Sequence, residues 1–484
     1  MRILFLFVLA FLSFETHAQN ESDISRYASQ YYLGTARFTS LGGAMGALGG
    51  DMTAIHVNPA AVGVYRYSDI SFSPGLEFNS VGVETNLGNF NSDISKLVVN
   101  NAGFVLANEV KNPNWKSINV SLTFNRLNTY NDDLFIETDL SNNQSLQGDF
   151  LAEVQGFLPE ELSNYSGGLA YDAFVVDNPD EDAPTNYVGG LLGDVNQIQT
   201  AERDGRHTET AISFGANYKD RLMLGASIGI QNVNYRLNVE TNETPLESGP
   251  SDLLEYTFRE DLLIEGVGVN FKLGAIYRAG KVIRIGASVQ TPTVLNLTDN
   301  FQNSIRSRRT VDPSNALEFD SPTGTFQYRV RTPWRFMGSL AGVIGKKGIL
   351  TAQYELTNYQ NGELRTSNNN PDADFSQSNE VARQNFTTMH IYRLGGEYRI
   401  TPNLYLRGGF AYFTNPLKGN EFTGANLDRL QYSGGLGYKK SAWSLDLAFQ
   451  QTQFEQAYQT SFGAPVSILN ISYSTLVLSV GIRL

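Results

Sequence analysis

Thr475-Leu476-Val477-Leu478-Ser479-Val480-Gly481-Ile482-Arg483-Leu484 closes the chain on an alternation. Leu476, Leu478, Val480, Ile482 and Leu484 share one phase, while Thr475, Ser479, Gly481 and Arg483 occupy the other. Successive side chains of a strand point to opposite faces, so a period of two separates an apolar face from a polar one. The pattern recurs upstream: Trp443, Leu445, Leu447 and Phe449 oppose Ser444, Asp446 and Gln450, and Ile283, Ile285, Ala287 and Val289 oppose Arg284, Ser288 and Gln290. Further copies are Ile118, Val120, Leu122, Phe124 and Leu350, Ala352, Tyr354, Leu356. The second face carries Asn, Thr, Gln, Arg or Glu, which suits a polar lumen or solvent.

A soluble sandwich alternates too, so the connections decide. Short turns fall at Asn112-Pro113, Lys219-Asp220, Ala279-Gly280, Lys346-Lys347, Pro402-Asn403 and Lys440-Ser441, with longer polar insertions between these pairs. Short turns at one end and long loops at the other describe a transmembrane antiparallel β-barrel. The predicted strands lie near 66–84, 101–110, 115–128, 207–219, 221–240, 254–278, 281–296, 324–345, 348–361, 386–400, 402–413, 428–440, 441–456 and 471–484. That is about fourteen, an even number as bacterial single-chain barrels require, and it leads us to expect both termini in the periplasm. Tyr65, Tyr67, Tyr277, Tyr354, Tyr359, Tyr392, Tyr398, Tyr412 and Tyr438, near strand ends, are expected to form the interfacial aromatic girdles.

Composition narrows the function. The 484 residues include no cysteine, which excludes a disulfide-stapled module, thiolate metal sites and a cysteine nucleophile. With 36 Lys and Arg against 49 Asp and Glu, the chain would repel a phosphate backbone, so nucleic acid is excluded as a partner. Residues 1–18 combine a basic start, an apolar run from Ile3 to Phe14 and Thr16-His17-Ala18, the pattern of a secretory signal peptide cleaved after Ala18. Beyond it, no stretch approaches the length of a membrane helix, so a membrane location demands a closed barrel.

Two regions interrupt the strand pattern. The longest insertion, 130–206, holds Leu146, Phe150, Leu151, Val154, Phe157 and Leu158 at helical spacing and the acidic run Asp177-Asn178-Pro179-Asp180-Glu181-Asp182. An amphipathic helix on an outer loop is expected there, packing over the barrel mouth, with Phe150, Leu151, Val154, Phe157 and Leu158 as candidates for apolar ligand capture. The acidic run reads as a solvated loop. The second region precedes the first strand: Ser40-Leu41-Gly42-Gly43-Ala44-Met45-Gly46-Ala47-Leu48-Gly49-Gly50-Asp51, then Met52-Thr53-Ala54-Ile55-His56-Val57-Asn58-Pro59-Ala60-Ala61-Val62-Gly63. Asp51 suits the N-cap of a short helical turn ending at Asn58-Pro59, and the small residues allow close backbone packing. A segment this apolar must be buried, and the lumen of the barrel that follows is its natural container.

Leu41 to Ala44, then Asp51, then Asn58-Pro59-Ala60 just before the first strand resemble the FadL/TodX family of outer-membrane transporters for hydrophobic compounds. The segment Gly274-Ala275-Ile276-Tyr277-Arg278 leading into Ile283-Arg284-Ile285-Gly286 fits as well. The resemblance covers the mature chain and implies a fourteen-stranded barrel with an N-terminal hatch, capture of long-chain fatty acids or aromatic hydrocarbons at outer loops, and lateral exit through the wall. It implies a signal peptide at 1–18, a hatch at 19–64 and a barrel at 65–484. By carry-over, Asn58, Pro59 and Ala60 belong to the hatch motif, and Gly49, Gly50, Asp51 and His56 lie along the ligand pathway. Pro74-Gly75 and Gly82 are candidate wall irregularities. Leu484 departs from the aromatic residue that commonly ends such barrels.

Other chemistries find little support. His56, His207 and His390 show no metal-ligand spacing, which argues against haem or metal. Gly225-Ala226-Ser227-Ile228-Gly229 matches a nucleophile elbow in letters, but Leu224, Ala226, Ile228 and Ile230 continue a strand and no catalytic residues cluster. The glycine run at 42–50 lacks the Lys-Ser or Lys-Thr of a phosphate loop. The expectation is therefore a passive transporter rather than an enzyme, without cofactor. Its expected partners are a hydrophobic small molecule, outer-membrane lipid and the barrel insertion machinery. The alternative is a structural or adhesive barrel with a sealed lumen, and a general porin is disfavoured by the hatch.

Overall fold

The computed structural model describes residues 21–180, 182–247, 251–345, 347–418 and 425–484. The predicted signal peptide lies outside them. Fourteen strands close into one antiparallel barrel. They are β1 (Asp69–Thr85), β2 (Gly88–Glu109), β3 (Trp115–Thr129, continued by Asp132–Leu140), β4 (Val195–Tyr218), β5 (Leu222–Pro245), β6 (Leu253–Ala279) and β7 (Ile283–Gln290, continued by Val294–Arg309). The circuit continues through β8 (Gly324–Arg331 and Arg335–Ile344), β9 (Gly348–Asn358 and Glu363–Thr366), β10 (Thr388–Arg399), β11 (Leu404–Phe413), β12 (Arg429–Lys440), β13 (Trp443–Tyr458) and β14 (Ser467–Arg483). Each strand pairs with its neighbours, and β14 closes on β1, with Phe72 opposite Val480 and Val83 opposite Leu469.

The opening decapeptide behaves as its alternation predicts: Thr475, Val477 and Ser479 are buried inside, whereas Leu476 and Leu478 are exposed outside. Leu340, Leu350, Leu394, Leu406, Leu436 and Leu447 likewise face outward. So large an exposed apolar surface makes sense only against hydrocarbon, where an outward Arg or Lys at the midplane would cost about 2–4 kcal/mol. Tyr277, Tyr398, Tyr438 and Trp443 stand on this surface near the short turns. Tyr354, Tyr392 and Tyr412 form a ladder nearer the long loops, with centroid spacings of 5.3 and 6.4 Å. Tyr65 and Tyr359 depart from the girdle expectation: both are buried in the lumen against the N-terminal segment's apolar clusters.

Several strands run past their predicted limits. β2 begins at Gly88 rather than 101, and the β3–β4 pair extends to Leu140 and Val195, so the insertion expected at 130–206 shortens to 141–194. It carries two helices, Leu146–Val154 and Gly167–Asp172. A further helix, Ser376–Asn385, precedes β10.

Residues 21–64 occupy the lumen as Glu21–Ala28, Ala36–Ser40, Met52–Val57 and a 3-10 turn Pro59–Val64. Glu21 lines a cavity at the long-loop end, and the chain then descends until Gly63 meets Ala216 and Met223 near the short turns. The C-terminal Leu484 donates its backbone N–H to Ser68 at that short-turn end. The first described residue, Glu21, and Leu484 therefore stand toward opposite ends of the barrel, and the residues before Glu21 lie outside the described ones. An even strand count fixes the ends of the barrel, Ser68 and Leu484, but not a leading segment that threads the lumen first.

Candidate functional site

The lumen divides into a filled lower part and an open upper part. In the lower part Asp51 caps the helix Met52–Val57, its Oδ1 accepting from Thr53 N (2.9 Å) and Ala54 N (3.2 Å), while Oδ2 accepts from Thr35 Oγ1 (2.6 Å). Gly49 and Gly50 reverse the chain just before it with φ of 62° and 66°, a region L side chains avoid. Asn58 ends the helix; its Nδ2 donates to Gly46 O (2.7 Å) and Ala275 O (3.2 Å), and its Oδ1 accepts from Ala60 N (3.1 Å). Pro59 and Ala60 press on the wall where β5 and β6 place inward glycines. A Cβ on Gly225 would lie 2.3 Å from Pro59 C, and one on Gly274 would lie 1.9 Å from Asn58 Oδ1. Gly225 is therefore a seat for the segment, and Ser227, in mid-strand, accepts from Ser213 Oγ (2.9 Å).

Wall side chains tie the segment on many sides. Asn119 donates to Val62 O and Tyr65 O, Ser288 to Val57 O, Thr351 to Ala44 O, and Ser479 Oγ accepts from Ala36 N. Arg37 bridges to Glu397, which also holds Arg407. His56 Nδ1 lies 2.8 Å from Glu209 Oε1, and its Nε2 lies 3.0 Å from Thr123 Oγ1. Burial pushes the His56 pKa down, the hydrogen bond to Glu209 opposing this only in part. Glu209 also contacts Lys272 and accepts from Asn270 (2.9 Å) and Gln231 (3.1 Å), and Gln231 in turn meets His207 (3.0 Å). Sequence reasoning saw no cluster here because His56 and Glu209 stand 153 positions apart. Among the described residues, no group of three or more His, Asp or Glu is arranged to hold a metal ion.

Above this lies a cavity of about 550 Å³. Its wall includes the aromatics Tyr31, Tyr130, Tyr235, Phe413, Phe454 and Tyr473, and the cations Arg26, Arg203 and Arg429. Arg26 pairs with Asp23, and Arg203 with Asp132. Arg429 instead rests on two rings, with its Cζ 3.6 Å from the Phe454 centroid and 4.3 Å from that of Tyr31. Tyr31 and Phe413 meet edge-on at 5.3 Å in the cavity floor. None of these residues was singled out from sequence. They come one or two at a time from separate strands and from the leading segment, so no local stretch carried their signal.

The outer-loop candidates are placed elsewhere. Phe150 and Val154 are buried in the loop's own core, where Phe150 meets Phe258 edge-on at 5.2 Å. Leu151 and Leu158 are half-buried, and Phe157 alone is exposed. None of the five lines the cavity. In the wall, the β1–β2 register shifts between Ser73 and Pro74, leaving the Asn100 amide buried without a hydrogen-bond partner among the described residues, whereas Gly82 pairs regularly with Asn91.

A closed barrel with an apolar exterior, a lumen filled by its own leading segment and an aromatic cavity above it defines a membrane-spanning β-barrel with a largely filled lumen. The chain belongs to the family described as outer membrane protein transport protein (OMPP1/FadL/TodX), which matches residues 26–468. It is therefore an outer-membrane β-barrel of a transport family. No curated protein sequence matches it. Among solved structures, a Pseudomonas aeruginosa FadL homologue shares the fold with a TM-score of 0.54 at 12% identity, over 93% of this chain and 98% of that one. The Pseudomonas putida toluene transporter TodX gives 0.53 at 12%, over 94% and 98%. The CymD monoaromatic hydrocarbon channel gives 0.51 at 11%, over 93% and 97%.

Proposed function

We propose that this protein mediates passive, ligand-gated uptake of hydrophobic small molecules such as long-chain fatty acids or aromatic compounds, and that it is not an enzyme. The observation that carries this reading is the aromatic cavity seated directly on a segment that fills the lumen below it. Pockets of this size and lining suit small apolar ligands, with a few polar groups to orient them. In this reading 1–18 is a removed signal peptide, 19–64 is the hatch and 65–484 is the barrel with its loops. The short-turn end faces the periplasm and the long loops face outward. Of the outer-loop candidates, Phe157 is the one with an exposed face for first contact. Gly49, Gly50, Asp51, His56, Asn58, Pro59 and Ala60 shape the hatch rather than touch ligand in its closed state. The lateral exit is assigned to the β1–β2 wall at Pro74, where the bulge interrupts the ladder. Lipid surrounds the barrel, and the insertion machinery handles it during assembly.

The test is a paired measurement on reconstituted protein. Wild type is expected to bind oleate or toluene saturably while remaining silent to ions in a planar bilayer. Asn58→Ala/Pro59→Ala, which unties the hatch, is expected to conduct. A wild-type barrel that conducts freely, or one that binds neither compound, refutes the reading.

A further inference from the structure

We propose that the barrel rim at the short-turn end holds an acidic phospholipid of the adjoining leaflet, with its phosphate in a pocket formed by Lys439, Lys440 and Arg483. Nothing in this site depends on what the lumen carries.

Charge is spread unevenly along the barrel axis. The chain as a whole has 36 Lys and Arg against 49 Asp and Glu, yet each of its six short turns holds or adjoins a cation: Lys111, Lys219, Lys281, Lys347, Arg399 and Lys440. Among the described residues, the acids in or directly beside these turns are Glu109 and Asp220. Tyr277, Tyr398, Tyr438 and Trp443 stand exposed on the outer surface, each close in sequence to one of the cations. The cations therefore lie one step beyond the aromatic belt, at the depth of lipid phosphates. Basic residues at that depth attract anionic lipid.

One place along this rim is concave. A pocket of about 450 Å³ lies where the β10–β11 turn, the β12–β13 turn and the end of β14 meet. Lys439, Lys440 and Arg483 line it, and Asp69 is the carboxylate among its lining residues. Lys439 Nζ lies 5.9 Å from the Tyr405 centroid, and Arg483 Cζ lies 5.5 Å from that of Tyr67. Glu397 and Asp446 act on Lys439 from deeper in the lumen, but both are salt-bridged to Arg407. Three cations against one carboxylate leave the pocket electropositive, and Ser441, Ser444 and Asn403 add hydroxyl and amide donors. That set fits the oxygens of a phosphate diester.

The lining also decides where the phosphate comes from. Lys439, Ser444 and Arg483 belong to the inward phase of their strands, whereas Lys440 and Trp443 belong to the outward phase, so the pocket straddles the rim. On the outer face, toward the middle of the membrane from Trp443, stand the exposed Leu445, Leu447 and Leu436, with Leu436 opposite Leu447 in the register. A head group seated in the pocket thus has its acyl chains beside an apolar wall. A soluble phosphate or an acidic protein would leave that wall unused.

Tryptophan quenching by brominated lipids tests this in phosphatidylcholine vesicles. The protein carries Trp334→Phe, which leaves Trp115 and Trp443, both at the short-turn end, as reporters. Brominated phosphatidylglycerol is expected to be preferred over brominated phosphatidylcholine by about fivefold or more, the scale of one cation beside an anionic lipid. Lys439→Gln/Lys440→Gln/Arg483→Gln is expected to bring the two lipids within about twofold, with heat-modifiable gel mobility as the check on folding. Lys219→Gln, in another turn of the same rim, should keep most of the preference. If the triple variant does not fold, Lys440→Gln alone, at an exposed position, must remove part of it. Equal quenching by both lipids in the reporter protein would overturn the proposal and leave the pocket to a soluble acidic partner. An equal loss in Lys219→Gln would show that the rim as a whole, not this pocket, selects the lipid. Displacement by excess glycerol phosphate would show a site for free phosphate instead of a lipid head group.

Discussion

Below Leu41 the lumen is full, and its polar groups pair between segment and wall; above Tyr31 it is open, and cations and aromatic rings line the space. In the lower region Asp51, His56 and Asn58 each meet partners at short range, and the inward glycines of β5 and β6 let the backbone of the segment touch the wall. In the upper region Arg429 lies against aromatic rings, and the cavity walls alternate cation with ring. The difference separates two jobs that one barrel must do. A seal needs satisfied hydrogen bonds and close packing, whereas a binding site keeps some of its bonding capacity for the ligand.

The comparison can be broken by perturbing one region and finding the effect in the other. The largest effect is expected from Lys272→Met, which strands Glu209 beside His56 without its cation. Unfolding in denaturant should show a loss of about 3–5 kcal/mol, and Glu209→Gln added to it should restore much of that. Next comes Gly274→Ala, whose Cβ collides with Asn58 Oδ1. Overpacking of this kind costs about 1–3 kcal/mol, and bilayer recordings should show flickering conductance as the 3-10 turn is displaced. In the upper region Arg429→Met should leave stability within about 0.5 kcal/mol, as a surface-like substitution does. Its expected effect is on ligand affinity, a few-fold weakening on the scale of about 0.5–1 kcal/mol for an exposed cation–π contact, read by equilibrium binding.

A separate effect concerns pH. Burial holds the His56 pKa below its ordinary value near 6.5, so the folded state binds fewer protons than the unfolded one. Stability from this group is complete above pH 6.5 and falls as the pH drops through it, with a slope of at most about 1.4 kcal/mol per pH unit. Unfolding midpoints of wild type should decline between about pH 6.5 and pH 5, and those of His56→Gln should decline less.

These two regions also differed in how well they could be read from the amino acids. The seal was local: Leu41 to Ala60 is one continuous stretch, and the helix ending at Asn58 follows from an N-cap and a proline that adjoin it in sequence. The membrane part of the wall was legible because hydrocarbon enforces alternation at Leu476, Leu447 or Leu394. Where strands stand clear of the membrane the signal fades. Gly88 to Asn100 reads as a loop because water on its outer face tolerates Asn91, Asp93 and Asn89, and the ends of β3 and β4 were missed for the same reason. The upper cavity was illegible because Tyr31, Tyr235, Phe413 and Arg429 converge only after closure of the barrel. Tyr65 and Tyr359 misled because a tyrosine near a strand end suits a lipid interface and a buried lumen equally well.

The central claim is that a seal and a ligand site are stacked in one lumen, and it is tested most directly by asking what the purified protein carries. Mass spectrometry of the organic extract from detergent-purified wild type should find a lipophilic compound in near-stoichiometric amount, depleted in Arg429→Met and lost in Asn58→Ala/Pro59→Ala. An empty wild-type barrel that also fails to take up added oleate or toluene would contradict the account and leave a sealed structural barrel in its place.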